Sequence, residues 1–279
     1  MNKVAIPEIN ELFDLKDFIH RAVFEALRYP WDVLKPELKA EYIRKAINPN
    51  CIELPRERNL VSKTTVLYKG ELLKGDFDIK LGSATKGELK IIKRGEFLKG
   101  ASVIFAGAFL VGNEIEIGEG CLIEEGAYIV GPTLIGDQTE VRHGSYVRGE
   151  VITGKRCVIG HASEIKSSIL LNDAKAPHFA YVGDSVLGNK VNLGAGTKVS
   201  NLKMTGDEIV MKYSGGEINT GLRKFGGLIG DHVETGCNSV INPGVVLGKG
   251  SMVYPCVSVK KGIYPAKSLI KGDSISNVR

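Results

Sequence analysis

The 279-residue chain carries a formal net charge of +5, and its 43% hydrophobic and 25% charged residues are ordinary for a globular protein. It has no apolar run of about 18 residues, and its N-terminus lacks the apolar core of a leader peptide, so we expect no membrane association. Lys and Arg form no dense cluster, which argues against a nucleic-acid partner.

Residues 1–54 are predicted to form a helical segment. Apolar side chains recur at helical spacing over residues 14–29, where Asp14 can cap a helix and Pro30 stops it. Pro36 is a suitable first residue for a second helix. The apolar face of that helix comprises Leu38, Tyr42, Ile43 and Ala46. We expect both helices to plug one end of the domain that follows.

Residues 55–104 contain short apolar runs separated by glycine turns, as in KGELLKG and RGEFLKG. Two interpretations fit this pattern. The segment forms either irregular leading coils of the following domain or a small antiparallel insertion.

Between residues 105 and 265 the chain repeats with a period of six. Eleven of thirteen successive positions are large and apolar in the series Phe105, Val111, Ile117, Ile123, Ile129, Ile135, Val141, Val147, Thr153, Ile159, Ile165, Leu171 and Pro177. Four residues further along each hexad stand the small or β-branched residues Cys121, Ala127, Thr133, Thr139, Ser145, Val151, Cys157 and Ser163. A helix repeats every 3.6 residues and a half-buried strand every two, so neither explains this period.

A triangular solenoid does explain the period, with one strand and one turn per hexad and about 18 residues per coil. The aliphatic side chain points inward, the small one fills the corner, and coils stack as parallel strands about 4.8 Å apart. The pattern predicts an all-β solenoid, a parallel β-helix of hexapeptide repeats. Its register slips at Leu187, and residues 202–227 interrupt it with a polar inserted loop of the kind that often carries function. Residues 266–279 are expected to form a C-terminal tail.

Residues one full coil apart lie one above the other in such a solenoid, which places Arg148 beside Lys166. Two neighbouring cations repel unless an anion lies between them, so this pair is a candidate phosphate or carboxylate site. Pairing with Glu164 or Glu150 is the alternative.

His143 and His161 are also one full coil apart, which raises metal binding as an interpretation. His178 follows His161 one position too early for that spacing and no H-x-x-x-x-H pattern occurs, so we expect stacked, half-exposed imidazoles and no metal. His178 itself stands in AKAPHFAYVGD, where an irregular coil exposes a side chain, and is a candidate catalytic residue.

Two runs of sequence carry a family resemblance. GHASEIKSSILLNDAKAPHFAYVGDSVLGNKVNLGAGTKVSNL resembles the acetyltransferase half of the bifunctional UDP-N-acetylglucosamine pyrophosphorylase/glucosamine-1-phosphate N-acetyltransferase family. TGLRKFGGLIGDHVETGCNSVINPGVVLG is similar to archaeal and stand-alone bacterial relatives of that family, as is YPWDVL near residue 30. The likeness is strong over residues 130–260. It implies a left-handed β-helix and a homotrimer with sites between neighbouring subunits.

The resemblance also implies a reaction, the transfer of acetyl from acetyl-CoA, a co-substrate, to an amino-sugar phosphate in UDP-N-acetylglucosamine biosynthesis. His178 matches the general base, since a neutral imidazole can take a proton from a sugar ammonium. No nucleophilic Ser or Cys is required. The positions matching substrate-binding residues are Arg148, Lys166, Tyr181, Asn192 and Asn201. The positions matching acetyl-CoA contacts are Ala195, Cys237 and Pro255.

Three positions depart from the family pattern. Leu202 replaces the tyrosine that follows the active-site asparagine, and Cys237 and Pro255 stand where the family presents small residues to coenzyme A. These departures favour an alternative function, a non-catalytic module that binds a sugar phosphate or nucleotide sugar as the regulatory partner of a separate nucleotidyltransferase.

The nucleotidyltransferase domain of that family, with its glycine-rich phosphate loop, has no counterpart before residue 105. We therefore expect no pyrophosphorylase activity from this chain. The five cysteines include no C-x-x-C pair, which indicates a reduced, cytoplasmic protein.

Overall fold

The computed structural model describes residues 4–272 and 274–278. Over these residues the chain winds through three long sheets in turn, placing one short strand in each before it returns to the first. Strands of successive coils pair in parallel. The predicted fold class, a parallel β-helix of hexapeptide repeats with a short helical segment at its N-terminus, is confirmed.

We call the three sheets face I, face II and face III. Face I consists of Arg56–Glu57, Leu60–Val61, Phe109–Val111, Tyr128–Val130, Tyr146–Val147, Glu164–Lys166, Tyr181–Gly183, Lys198–Val199, Val240–Ile241 and Ser258–Val259. Face II consists of Ile115–Ile117, Thr133–Ile135, Val151–Thr153, Ile169–Leu170, Val186–Leu187, Gly227–Ile229, Val245–Leu247 and Gly262–Tyr264. Face III consists of Glu71–Leu73, Thr65–Tyr68, Ser102–Ile104, Leu122–Ile123, Glu140–Val141, Val158–His161, Lys175–His178, Asn192–Leu193, Glu234–Thr235, Met252–Val253, Ser268–Lys271 and Ser274–Asn277.

The coils do not all have the same length. On face I, Val147 pairs with Ile165, which is the regular spacing of three hexads. The next two steps, from Ile165 to Val182 and from Val182 to Val199, are each one residue shorter. Val199 then pairs with Ile241, across the insertion. Two coils in the middle of the solenoid therefore lack one residue each.

Each strand contributes an aliphatic side chain to a continuous interior core. The predicted inward series holds from Ile117 to Ile165, and the predicted corner residues are buried. The series is wrong at its two ends. Ile104 and Leu110 point inward instead of Phe105 and Val111. After Ile165 the core residues are Leu170 and Ala176, because the coil has lost one residue, and Leu171 and Pro177 lie outside the interior core.

The N-terminal segment contains less helix than predicted. It has α-helices at Ile9–Leu12 and Pro36–Ala46 and 3-10 helices at Arg21–Phe24 and Pro30–Leu34. The second predicted helix therefore begins at Pro36 as expected, whereas the helix predicted over residues 14–29 is wrong. The aromatic residues of that stretch are buried against neighbouring elements, and this packing overrides helical spacing.

The helical part of the segment covers a side of the solenoid and does not plug its end, whereas Cys51 and Leu54 join the interior core at the first coil. Its buried Phe13, Phe18 and Trp31 join a second apolar cluster with the outward-facing residues of face II, which include Ile152 and Val186. Face II is therefore buried on both sides, as expected for strands with continuous apolar sequence.

The insertion at 202–227 is not a polar surface loop throughout. It forms the hairpin Val210–Tyr213/Gly216–Asn219, whose Met211 joins the cluster over face II together with Leu222 and Phe225. The stretch before the hairpin is exposed, with Met204 its most exposed apolar residue, and so is the hairpin turn at Ser214 and Gly215.

The segment 55–104 contains both features that the sequence left open. Asp78–Lys80, Lys90–Lys93 and Glu96–Phe97 form a separate antiparallel sheet, and a 3-10 helix spans Ala84–Lys86. Other strands of the segment extend faces I and III by antiparallel pairing. At the other end, Ser268–Lys271 and Ser274–Asn277 pair and extend face III. No helix in the described residues is long and apolar enough to cross a membrane.

Candidate functional site

Four of the candidate residues stack on the corner where face III turns into face I. His178 ends the strand Lys175–His178, in register with His161 of the coil before. Main-chain hydrogen bonds continue this stack: Gly196 N–H donates to His178 O (2.9 Å) and Asn238 N–H to Ala195 O (2.8 Å). With the register of face III, these bonds place His178, Ala195, Cys237 and Pro255 one above the other.

This corner column is open to solvent. His178, Cys237 and Pro255 are exposed and Ala195 is half-buried. The stacking depends on the short coils, because a coil of regular length would move Ala195 one position off His178. A ligand can therefore run along the corner past four successive coils.

The other two histidines of this corner, His143 and His161, each contact a main-chain oxygen through a ring nitrogen. The rings of His143 and His161 stack at 5.7 Å with an interplanar angle of 8°. Their Nδ1 atoms lie 2.8 Å from Glu125 O and 3.0 Å from His143 O, respectively. Within the described ranges, no group of three His, Cys, Asp or Glu residues is arranged to hold a metal ion.

Arg148 and Lys166 lie side by side at the far edge of face I. The pairing of Val147 with Ile165 places them in neighbouring coils. Arg148 Nη1 lies 2.6 Å from Glu164 Oε1, and Lys166 Nζ lies 3.4 Å from Asp184 Oδ2. Since the Arg148–Glu164 pair is about one-third exposed, it is weak and a phosphate can exchange with the carboxylate.

Tyr181 and Asn201 extend this charged edge into the interior. Tyr181 Oη donates to Asn201 Oδ1 (3.3 Å), and Asn201 Nδ2 donates to Asp184. Partial burial, reinforced by the carboxylates of Glu164 and Asp184, raises the pKa of Tyr181. Its phenol is therefore a neutral hydrogen-bond donor at physiological pH.

Asn192 lies apart from these residues. It is exposed on face III, in a ladder between Lys175 and Glu234, whereas Arg148 and Lys166 project from face I. The two faces meet at the corner that carries His178. A compact ligand against face I of one chain does not reach Asn192 of the same chain without bending around that corner.

Asp184, which both Lys166 and Asn201 contact, is a site residue that no sequence motif predicted. A detectable signal exists, because Asp184 lies one short coil before Asn201 and directly follows Gly183, the register partner of Lys166. Using that signal depends on knowing which coils are short. Lys39, described below, had no such signal.

The central coils match known proteins. Residues 129–214 match the family described as GMPPB C-terminal domain. The chain is 42% identical over 96 residues to a bifunctional sugar-1-phosphate nucleotidylyltransferase/acetyltransferase of Sulfurisphaera tokodaii, a match covering 34% of this chain and 24% of the relative. It is 34% identical over 108 residues to the bifunctional protein GlmU of Methanococcus vannielii, covering 39% of this chain and 26% of the relative.

The chain therefore matches only about a quarter of the length of these curated relatives. Among solved structures, the Arabidopsis UDP-N-acetylglucosamine acyltransferase aligns with 63% of this chain and 72% of its own, at 12% identity and a TM-score of 0.37. The sequence matches confirm the resemblance of the central coils, which are similar to part of a bifunctional sugar-1-phosphate nucleotidylyltransferase/acetyltransferase and to part of the bifunctional protein GlmU.

Proposed function

We propose that this protein is an N-acetyltransferase that moves acetyl from acetyl-CoA to an amino-sugar phosphate such as glucosamine-1-phosphate. One observation carries the proposal. An exposed histidine, His178, is stacked with Ala195, Cys237 and Pro255 on an open corner, beside a face that presents two cations. The similarity to proteins whose printed names include acetyltransferase supports the same reaction.

Each side of this corner has a distinct role in the proposed reaction. Arg148 and Lys166 bind the phosphate, and the guanidinium of Arg148 offers two parallel donors to its oxygens. The acyl-CoA runs along the column of Ala195, Cys237 and Pro255, which places the thioester next to His178. Tyr181 and Asn201 donate to the sugar.

The chemistry requires one base and no covalent enzyme intermediate. A neutral ring nitrogen of His178 takes a proton from the ammonium of the acceptor, and the freed amine attacks the thioester carbonyl. We assign the main-chain N–H of Ala195 to the tetrahedral oxyanion. The carbon–sulfur bond then breaks, and the thiolate of coenzyme A takes up the proton that the amine loses on acylation.

The separation of Asn192 from the cationic edge supports a homotrimer as the active form. A site between two chains lets face III of one subunit supply Asn192 opposite face I of its neighbour. The product would be a substrate for a nucleotidyltransferase, which we place on a separate protein that is a candidate partner.

The test measures coenzyme A release from acetyl-CoA with a thiol reagent, with glucosamine-1-phosphate and galactosamine-1-phosphate as acceptors in turn. We expect turnover with one of them and a loss of about 100-fold or more in His178→Ala, the usual contribution of a general base. His143→Ala is the matched control, an exposed histidine two coils away on the same corner, and it should retain full activity.

The alternative function, a non-catalytic sugar-phosphate module, also has a specific observation in its favour. Leu202 exposes 40% of its surface next to Asn201 and offers no polar group to an acceptor or a thioester. Binding of the sugar phosphate without any coenzyme A release would establish that function and reject the acetyltransferase.

A further inference from the structure

Lys39 is a completely buried lysine for which the proposed reaction has no use. It lies in the helix Pro36–Ala46 of the N-terminal segment and has no solvent-exposed surface. Its Nζ donates to the main-chain oxygen of Ser167 (2.7 Å) and lies 3.8 Å from Glu150 Oε2. Burying an ammonium group is costly unless its partners compensate.

The partners of Lys39, Ser167 and Glu150, lie in turns next to the edge of face I that carries Arg148 and Lys166. Ser167 follows Lys166 in sequence, and its hydroxyl donates to Glu150. Glu150, Ser167 and Asp184 have φ values of +51°, +48° and +43°, although none of them is glycine. Such residues persist only where surrounding contacts hold them. At Ser167 the hydrogen bond from Lys39 is one of those contacts.

We propose that Lys39 is a positioning residue of the anion site formed by Arg148 and Lys166, an inference that rests on the proposed function. It holds the Ser167 turn and Glu150 from behind, so that Lys166 and Asp184 keep their orientation. The N-terminal helix is then part of the substrate site, although the family match covers only residues 129–214.

The charges around Lys39 support a coupling to the ligand. Burial lowers the pKa of Lys39 to about 8, while Glu150 and Asp184 act to raise it and Lys166 acts to lower it further. An anion bound at Lys166 offsets that repulsion and raises the pKa of Lys39. By thermodynamic reciprocity, protonation of Lys39 strengthens anion binding to the same extent. Anion binding at pH 8 should therefore take up a fraction of a proton.

The experiment is calorimetric titration of the whole protein at pH 8 in two buffers with different heats of ionisation. The probes are sulfate and N-acetylglucosamine-1-phosphate, because neither titrates near this pH. We expect proton uptake in the wild type and an affinity that falls as the pH rises above about 8. Lys39→Met should bind about fivefold more weakly or worse and take up no proton.

Lys39→Arg separates positioning from a purely structural role, because arginine stays charged. It should retain binding and lose both the proton uptake and the pH dependence. Lys45→Met is the matched control, an exposed lysine of the same helix that pairs with Glu41, and it should behave as the wild type. If Lys39→Met does not fold, the arginine variant carries the test.

Proton uptake that survives in Lys39→Arg, or is missing from the wild type despite binding, overturns the inference. Neither result touches the proposed function, which depends on coenzyme A release requiring His178. Proton uptake with sulfate but no binding of N-acetylglucosamine-1-phosphate shows an anion site that does not hold the acetylated product, and it leaves the role of Lys39 standing. If neither probe binds, the anion site and the role of Lys39 are rejected, and the acetyltransferase is judged by coenzyme A release alone.

Discussion

The residues that stack on His178 are determined by a one-residue deletion in the coil that follows it. Because the coil from His178 to Ala195 is one residue short, the two stack directly, and Cys237 and Pro255 continue the same column. The slip predicted at Leu187 is the deletion that brings Ala195 into register with His178. The sequence missed the earlier deletion, between Ile165 and Leu170. That deletion is hidden because Leu171, which the period of six selects, is as apolar as Leu170, which points inward in the structure.

The ion pair of Arg148 and the contacts of Lys39 show a second limit of prediction from sequence. The sequence left Arg148 with two interpretations, an anion site or a carboxylate partner, and the structure pairs it with Glu164. An exposed pair of this kind is worth about 0.2–1 kcal/mol, so it does not exclude a phosphate that binds in its place. Lys39 lies far from Ser167 in sequence, and no periodic pattern links the two positions.

The cysteines allow a prediction that needs no substrate. Burial raises the pKa of Cys51, Cys121 and Cys157 to about 12, whereas Cys237 and Cys256 are exposed. Because the thiolate is the reactive form, only the two exposed thiols should react quickly with Ellman's reagent at pH 8. The other three should react only after unfolding in denaturant.

Single serine variants assign the two fast thiols, since each should remove one equivalent. If coenzyme A follows the proposed column, saturating coenzyme A with its own thiol blocked should slow the reaction of Cys237. A third fast thiol in the folded protein would contradict the burial of Cys51, Cys121 or Cys157. No protection of Cys237 would argue against the proposed cofactor path.

At the scale of an element, the short coil that carries His178 is packed tightly against the coil before it. A Cβ atom added to Gly160 would lie well inside 3.0 Å of three main-chain atoms of Pro177. The neighbouring strand cannot yield without moving the main chain next to His178. Gly160 therefore fixes how closely these two coils approach.

Gly160→Ala should destabilise the protein by about 1–3 kcal/mol, as overpacking does, and should also lower coenzyme A release in the folded fraction. Urea unfolding and steady-state kinetics measure the two effects separately. Gly75→Ala is the matched control, because nothing lies within 4 Å of a Cβ there, and it should change neither. A Gly160→Ala protein with normal stability would show that this contact is relaxed in solution.

The N-terminal segment shows why local patterns failed at this scale. The spacing over residues 14–29 predicts a helix, but Phe18 and Phe24 pack edge to face and join the cluster over face II in a largely irregular chain. Helical spacing reports which residues are apolar, not which surface they will meet. In the solenoid each strand pairs with the equivalent strand of the next coil, so the local sequence pattern also predicts the packing.

At the scale of the whole molecule, the three faces differ in what covers them. The N-terminal segment and the hairpin bury the outer side of face II, and the small antiparallel sheet packs on the first coils of face III. Face I keeps a partly exposed aromatic ladder in which Phe109 stacks on Tyr128 and Tyr128 contacts Tyr146 edge-on. This uneven cover leaves the outer side of face I and of the later coils of face III available for the subunit contacts of the proposed trimer.

The proposed trimer can be tested by mixing inactive chains. Lys166→Ala removes a residue of face I and Asn192→Ala one of face III, so each variant alone should lose most of its activity. If sites form between subunits of a closed trimer, a random mixture regains one intact site in each mixed trimer, or about a quarter of the wild-type activity. Co-refolded mixtures are assayed for coenzyme A release, and light scattering should give about three times the 30.2 kDa chain mass.

The control mixture combines Lys166→Ala with Arg148→Ala, two changes on the same edge of face I. These defects fall in the same half of the site, so no pairing of chains restores it and activity should stay low. Recovery in the first mixture and not in the second assigns the two faces to neighbouring subunits. A monomer, or a first mixture no more active than its components, would mean that one chain bends its substrate around the His178 corner and builds the site alone.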